Sequence, residues 1–182
     1  AVKKLYPNAM FGVGPAIEEG FYYDINTGRD VKITEADLVK IEKEMQRIVA
    51  EDAKFTRKEV SKAEALELFK EDKYKLELIN ELPEDVVITV YTNGLYSDLC
   101  RGPHVPSTKF LKNFKLLAIA GAYWRGDSKN EQLQRIYGTC FFTPEELTRH
   151  LEILKEREAR DHRKLGKELE LFMISEYGPG FP

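Results

Sequence analysis

Val86-Val87-Ile88-Thr89-Val90-Tyr91-Thr92-Asn93-Gly94-Leu95-Tyr96-Ser97-Asp98-Leu99-Cys100-Arg101-Gly102-Pro103-His104 is the stretch that decides the fold. Two runs rich in β-branched and aromatic residues flank Asn93-Gly94, a pair that favours a type I′ turn, so an antiparallel hairpin is expected. The returning strand leads into Asp98-Leu99-Cys100, and residues two apart on a strand share a face. An acid and a thiol are thus placed side by side, with His104 delivered by the turn that follows. Gly102-Pro103 prevents a regular helix between Cys100 and His104, because proline lacks the backbone donor and clashes with the preceding turn. Reactive groups on a tight loop at a strand end suit a functional site. A buried structural cysteine beside a solvated turn is the competing reading.

Outward from the hairpin, the elements alternate in type. On the N-terminal side, Met10-Phe11 and Phe21 to Ile25 flank a Gly- and Pro-containing turn and read as a pair of strands. Tyr22 and Tyr23 should point to opposite faces, one into the core and one toward a cleft. Thr34-Glu35-Ala36-Asp37 is an acidic capping box, and Leu38, Ile41, Met45, Ile48 and Val49 carry the helix to about Asp52. A strand over Phe55 to Val60 and a second capping box at Ser61 come next. A short helix over Tyr74 to Leu82 then carries Lys75 near its start, a surface residue by default. On the C-terminal side, the near-continuous apolar run Phe114 to Trp124 reads as a central strand. Gln134 to Phe142 is one more strand. Thr143-Pro144-Glu145-Glu146 is a full capping box with proline at the first helical position. It opens a helix expected to run to about Ser175, with Phe172 among its apolar positions. Ala1 to Tyr6 reads as the end of a helix cut through its middle, so the chain is expected to be a fragment.

In the 182 residues, 42% are hydrophobic and 32% charged, an ordinary globular composition. No run approaches the ~18 apolar residues of a membrane span, and no signal peptide opens the chain. Two cysteines, Cys100 and Cys140, give no disulfide framework, which favours a reduced, cytoplasmic setting. The net charge of −3 conceals an asymmetry. Thr34 to Asp85 carries 15 acids against 10 Lys/Arg, whereas Arg101 to Arg135 carries 7 Lys/Arg against 2 acids. A basic stretch adjoining the Cys/His loop suits a polyanion such as nucleic acid, although a solvated face without a partner has the same composition.

Three chemistries compete for the loop. Cys100 could act as a nucleophile with His104 as base and Asp98 orienting the imidazole, although in such enzymes the base usually comes from a distant element. Cys100 and His104 could be two zinc ligands, but zinc needs three or four and only His150 and His162 remain, both on the charged helix. Alternatively, the imidazole and Asp98 could position or deprotonate water, with a lysine such as Lys75 stabilising a developing oxyanion. Nothing local separates the first reading from the third.

Five ordered motifs narrow the choice: Gly20-Phe-Tyr-Tyr-Asp24, Asp98-Leu-Cys-Arg-Gly-Pro-His104, Gly121-Ala-Tyr-Trp-Arg-Gly-Asp127, Leu133-Gln-Arg-Ile-Tyr-Gly138 and Arg160-Asp-His-Arg-Lys-Leu-Gly166. Together they resemble the editing domain of bacterial-type threonyl-tRNA synthetases, across essentially the whole chain. The resemblance implies an α+β fold, an antiparallel β-sheet with helices packed on it, as in the related alanyl-tRNA synthetase editing domains. It implies an editing domain over 1–142, a closing helix over 143–175 leading toward a catalytic core, and the start of a linker over 176–182. The implied activity is hydrolysis of seryl-tRNA(Thr) by water, which favours the third chemistry. Its partners would be tRNA(Thr) charged with serine and the remaining synthetase domains. No cofactor or metal is implied here, since ATP and structural zinc would belong to the catalytic core.

Residue by residue, the family's pocket falls on Tyr23, Lys75, Asp98, Cys100 and His104. His104 and Cys100 would hold water or the terminal ribose, Lys75 would support the ester oxygen's charge, and Asp98 would bind the amino group or polarise the water. Arg101, Lys109, Lys112, Lys115 and Arg125 are the candidate phosphate contacts. The family also carries a His-x-x-x-His pair on a helix just before the position of Ala1, so a compact fold with an incomplete site is expected. The alternative from another class is a non-catalytic module that binds the tRNA acceptor end.

Overall fold

The hairpin forms as β5 (Ile88–Asn93) and β6 (Tyr96–Leu99), paired antiparallel with Asn93 opposite Tyr96 and Tyr91 opposite Asp98. Its two-residue loop is therefore Gly94-Leu95, one position later than the Asn93-Gly94 turn the sequence suggests. Asn93 stays in the ladder because its side-chain amide donates to the carbonyls of Ala53 and Lys54. Gly94 takes the left-handed position at φ +60°, where a glycine costs least. Val86 and Val87 lie outside the strand and are exposed.

The computed structural model describes residues 1–28 and 30–171. Two units are distinguished, Ala1–Phe142 and Thr143–Pro182. In the first, β4 (Phe55–Val60) pairs with β5 to make a three-stranded antiparallel sheet, β4-β5-β6. A second antiparallel sheet has five strands: β1 (Met10–Phe11), β2 (Ala16–Ile17), β3 (Gly20–Asn26), β7 (Asn113–Tyr123) and β8 (Gln132–Phe141). Its order is β1-β3-β8-β7, with β2 also paired to β3. The architecture is α+β. The apolar run in β7 lies at the sheet edge, not in the centre, and pairs only with β8. Its small residues Ala118, Gly121 and Ala122 leave little apolar surface to cover, so the edge position costs little.

The α2 helix (Glu35–Ala50) starts at the expected Thr34 capping box and buries Leu38 and Ile41 against Phe11, Ile25, Leu116 and Ile136 of the larger sheet. Glu42 of α2 accepts from the Leu116 amide and pairs with Lys115, fixing the helix to β7. Helices α3 (Lys62–Leu68) and α4 (Lys73–Asn80) cover one face of the smaller sheet, where Ala65, Phe69 and Ile79 meet Val60, Ile88 and Val90. The opposite face, bearing Tyr91, Tyr96 and Asp98, turns toward the larger sheet; Phe11 stands edge-on to both Tyr23 and Tyr96. A short helix, α1 (Val2–Leu5), is tied to α2 by Lys4, which pairs with Glu44 and Glu51.

In the second unit the single helix expected from residue 143 to about 175 is two helices, α5 (Pro144–Ala159) and α6 (His162–Glu168). The break falls at Arg160-Asp161, where the Asp161 carboxylate accepts from the Arg163 amide and guanidinium. An aspartate that bonds the backbone two residues ahead favours a new helix start over continuation. Phe172, the helix end near Ser175 and the linker over 176–182 lie outside the described residues.

Candidate active site

Three elements meet where β3, the first turn of α4 and β6 converge. Asp72 caps α4, its carboxylate accepting from the amides of Tyr74 and Lys75. With the helix start fixed, Ile79 faces the smaller sheet and Lys75 projects between the two sheets. Lys75 is only 4% exposed. Its ammonium pairs with Asp98 Oδ1 at 2.5 Å and donates to the Gly12 carbonyl at 3.0 Å and the Tyr23 hydroxyl at 3.2 Å. Tyr23 in turn donates to Asp98 Oδ2. Tyr96 Oη lies 3.3 Å from that oxygen, and the Leu99 amide donates to Oδ1 at 2.8 Å. All three ammonium donors are engaged, and the carboxylate receives four donors. A buried ion pair persists only when its remaining hydrogen-bonding capacity is met in this way.

The tyrosine hydroxyls feel this closure. Burial, followed by the charge of Tyr96 and Asp98, drives the Tyr23 phenol far above its ordinary range. Burial first and then Asp98 push Tyr96 up as well. Both phenols therefore hold their protons more tightly in the folded chain than in the unfolded one. Above about pH 10 the unfolded chain sheds phenol protons that the folded chain retains, so unfolding binds fewer protons and stability falls as pH rises. Urea unfolding between about pH 9 and 11 should show this decline, with a shallower slope in Tyr23→Phe. An unchanged slope would mean that Tyr23 titrates freely in the folded state.

Cys100 and His104 stand apart from this network. Among the described residues, no hydrogen bond or ion pair joins either of them to Asp98, Lys75 or Tyr23. Cys100 is half-buried just beyond β6, its sulfur accepting from the Gly102 amide at 3.3 Å. His104 is exposed and stacked: its ring centroid lies 4.2 Å from Tyr91 and 5.3 Å from Phe55. Tyr91 is the direct cross-strand partner of Asp98, so the imidazole reaches the face that carries Asp98 but is seated on tyrosine. The five pocket candidates thus form a closed trio, Tyr23, Lys75 and Asp98, and a neighbouring pair on the loop.

Sequence reasoning missed four contributors: Tyr96, Tyr91, Asp72 and the Gly12 carbonyl. Tyr96 could have been found, since it precedes Asp98 by two on one strand and must share its face. Tyr23 and Tyr96 also line a cavity of about 810 Å³ together with Phe11, Ile41, Leu116 and Cys140. Lys75, Asp98, Cys100 and His104 do not line it. Among the described residues no group of three or more His, Cys, Asp or Glu side chains could hold a metal ion. No helix among them is long and apolar enough to cross a membrane.

Of the candidate phosphate contacts, three already have carboxylate partners. Lys109 pairs with Asp52 at 3.5 Å, Lys115 with Glu42 at 2.8 Å, and Arg125 with Glu77 at 2.9 Å and Glu81 at 2.6 Å. Arg101 and Lys112 are exposed and enter no ion pair among the described residues. Exposed pairs contribute roughly 0–1 kcal/mol, so a phosphate can compete for the paired cations at small cost.

This antiparallel α+β domain, with Asp98 on a hairpin strand and Cys100 just beyond it, is similar to parts of known tRNA synthetases. Residues 88–137 match the family described as the threonyl and alanyl tRNA synthetase second additional domain. The chain is 58% identical over 183 residues to threonine--tRNA ligase of Staphylococcus carnosus (strain TM300) and 58% identical to that of Staphylococcus aureus (strain JH9). It is 57% identical to threonine--tRNA ligase of Enterococcus faecalis (strain ATCC 700802 / V583). Each alignment takes in 100% of this chain, which spans 28% of the relative's length. The matched family segment contains Asp98, Cys100 and His104, whereas Tyr23 and Lys75 lie outside it and fall under the whole-chain similarity.

Proposed function

We propose that this domain edits: it hydrolyses serine from mischarged tRNA(Thr), in the cytoplasm, with water as the only co-reactant. The observation that carries the reading is the buried Lys75–Asp98 pair, closed by two tyrosine hydroxyls and set beside the Cys100/His104 loop. A charge pair and an exposed imidazole brought to one face supply the charge stabilisation and the proton carrier that ester hydrolysis needs. The selective need is physical. Serine lacks one methyl of threonine, a difference worth roughly 1–3 kcal/mol in a binding pocket, and synthetases are the standing example of editing for this reason.

In the reaction, water adds to the ester carbonyl carbon and the bond to the terminal ribose oxygen breaks, releasing serine and a ribose hydroxyl. One proton leaves the water and one reaches the ribose oxygen, a transfer suited to the His104 imidazole. Asp98 receives the substrate's ammonium. Its weakest donor, the Tyr96 hydroxyl at 3.3 Å, is the one an incoming ammonium replaces most readily. Lys75 then contributes positive charge where the ester oxygen becomes negative.

Deacylation of seryl-tRNA(Thr), with threonyl-tRNA(Thr) as control, tests this in the present chain and in one extended through the preceding helix of its relatives. The seryl ester should be cleaved and the threonyl ester spared, and Lys75→Met should lower the rate by about 10²–10³. Tight tRNA binding by the folded, extended chain with no turnover would overturn the reading. That outcome would favour a non-catalytic acceptor-end module, a second reading supported by the full engagement of every Lys75 donor in this structure.

A further inference from the structure

One neighbour, Asp72, bonds the Lys75 backbone directly and reaches the acceptor of its ammonium through the adjacent strand. Asp72 Oδ1 accepts from the Lys75 amide at 3.3 Å and from the Tyr74 amide at 3.1 Å, which sets the first turn of α4. Asp72 Oδ2 accepts from the Phe11 amide at 2.7 Å, which sets β1. The residue after Phe11 is Gly12, whose carbonyl receives the Lys75 ammonium at 3.0 Å. A closed ring results: Asp72 to the backbone of Lys75, along the side chain to Nζ, to Gly12, through Phe11 and back to Asp72. The Asp72 charge also acts on Tyr96, which shares Asp98 with Lys75.

We propose that Asp72 is a positioning residue, holding the Lys75 ammonium in register with Asp98 by tying β1 to the start of α4. This goes beyond helix capping, since one carboxylate oxygen serves the helix and the other serves the strand. It rests on the deacylase reading only for its kinetic consequence. Reaction rates respond steeply to the placement of charged groups, and displacements of about 1 Å can cost about 10²-fold.

Asp72→Asn separates the two roles. The amide oxygen still caps the helix, since asparagine is as good a cap as aspartate. The amide NH2 then faces the Phe11 N–H, donor against donor. Ser61→Ala provides the structural control: Ser61 caps α3 and touches none of the ring, so its loss weakens a helix elsewhere without reaching Lys75. Both variants are made in this chain and in the extended chain described above. Asp72→Asn should lower kcat for seryl-tRNA(Thr) about tenfold while KM moves less than about twofold, and Ser61→Ala should leave both unchanged. In 15N-resolved NMR of this segment, the slowly exchanging Lys75 ammonium protons should be lost in Asp72→Asn and kept in Ser61→Ala. A protected Lys75 ammonium in Asp72→Asn, or a kcat loss shared equally by Ser61→Ala, overturns the proposal. If the unsubstituted protein fails to deacylate, the editing reading falls, and the ammonium signal alone decides whether Asp72 positions Lys75.

Discussion

Asp98→Ala is expected to destabilise the domain by about 3–5 kcal/mol, as measured by urea or thermal unfolding, and to abolish deacylation. The size follows from what is left behind. Lys75, 4% exposed, would lose its one carboxylate partner among the described residues and keep the Gly12 carbonyl and a tyrosine oxygen. The hydroxyls of Tyr23 and Tyr96 and the amide of Leu99 would lose their acceptor as well. Removing one member of a buried pair costs far more than replacing both, because an uncompensated charge remains in a poorly solvated site. Lys75→Met combined with Asp98→Ala should therefore recover much of the lost stability without recovering activity. The coupling between the two positions should exceed about 1 kcal/mol. If Asp98→Ala unfolds at the same denaturant concentration as the unsubstituted domain, the pair is not held as these distances indicate.

The hairpin and capping boxes could be read from the sequence because their signals are local: β-branched runs around a glycine for the hairpin, and Thr34, Ser61 and Thr143 each three residues before an acid. The errors arose where distant groups decide. The turn moved by one residue because the Asn93 amide finds carbonyls at Ala53 and Lys54. The run in β7 could not reveal its edge position, because an apolar stretch looks the same whether one neighbour strand covers it or two. Lys75 was a surface residue by default, and its burial depends on acceptors from β6 and from the segment after β1, which no local pattern near Lys75 encodes. Its place beside Tyr23 and Asp98 was expected only through the family resemblance. The break at Asp161 was legible in principle, since an aspartate two residues before Arg163 is a helix-start signal, but the continuing charge pattern masked it.

Gly102→Ala should also impair deacylation, but at a smaller cost to the fold than Asp98→Ala. Gly102 has φ +74°, a left-handed conformation that costs an L-residue about 1–2 kcal/mol. A Cβ there would sit 2.1 Å from Tyr91 Oη and 2.8 Å from Cζ, so either the loop or the tyrosine ring must move. The loop is half-buried and outside both sheets, which limits the loss to about 1–3 kcal/mol. The local consequence is larger. Tyr91 is the seat of the His104 imidazole at 4.2 Å, and the Gly102 amide is the donor to Cys100. One added methyl would thus displace both loop residues of the proposed site while leaving the Lys75–Asp98 pair intact. Seryl-tRNA(Thr) deacylation should fall about 10²-fold, and the His104 ring proton shifts should move away from their aromatic-stacked values. Tyr91→Phe removes the atom in closest contact, so it should partly restore activity in the Gly102→Ala background while doing little by itself. Displaced His104 shifts together with full deacylation in Gly102→Ala would show that the loop has no part in the chemistry, leaving the Lys75–Asp98 network to carry it alone.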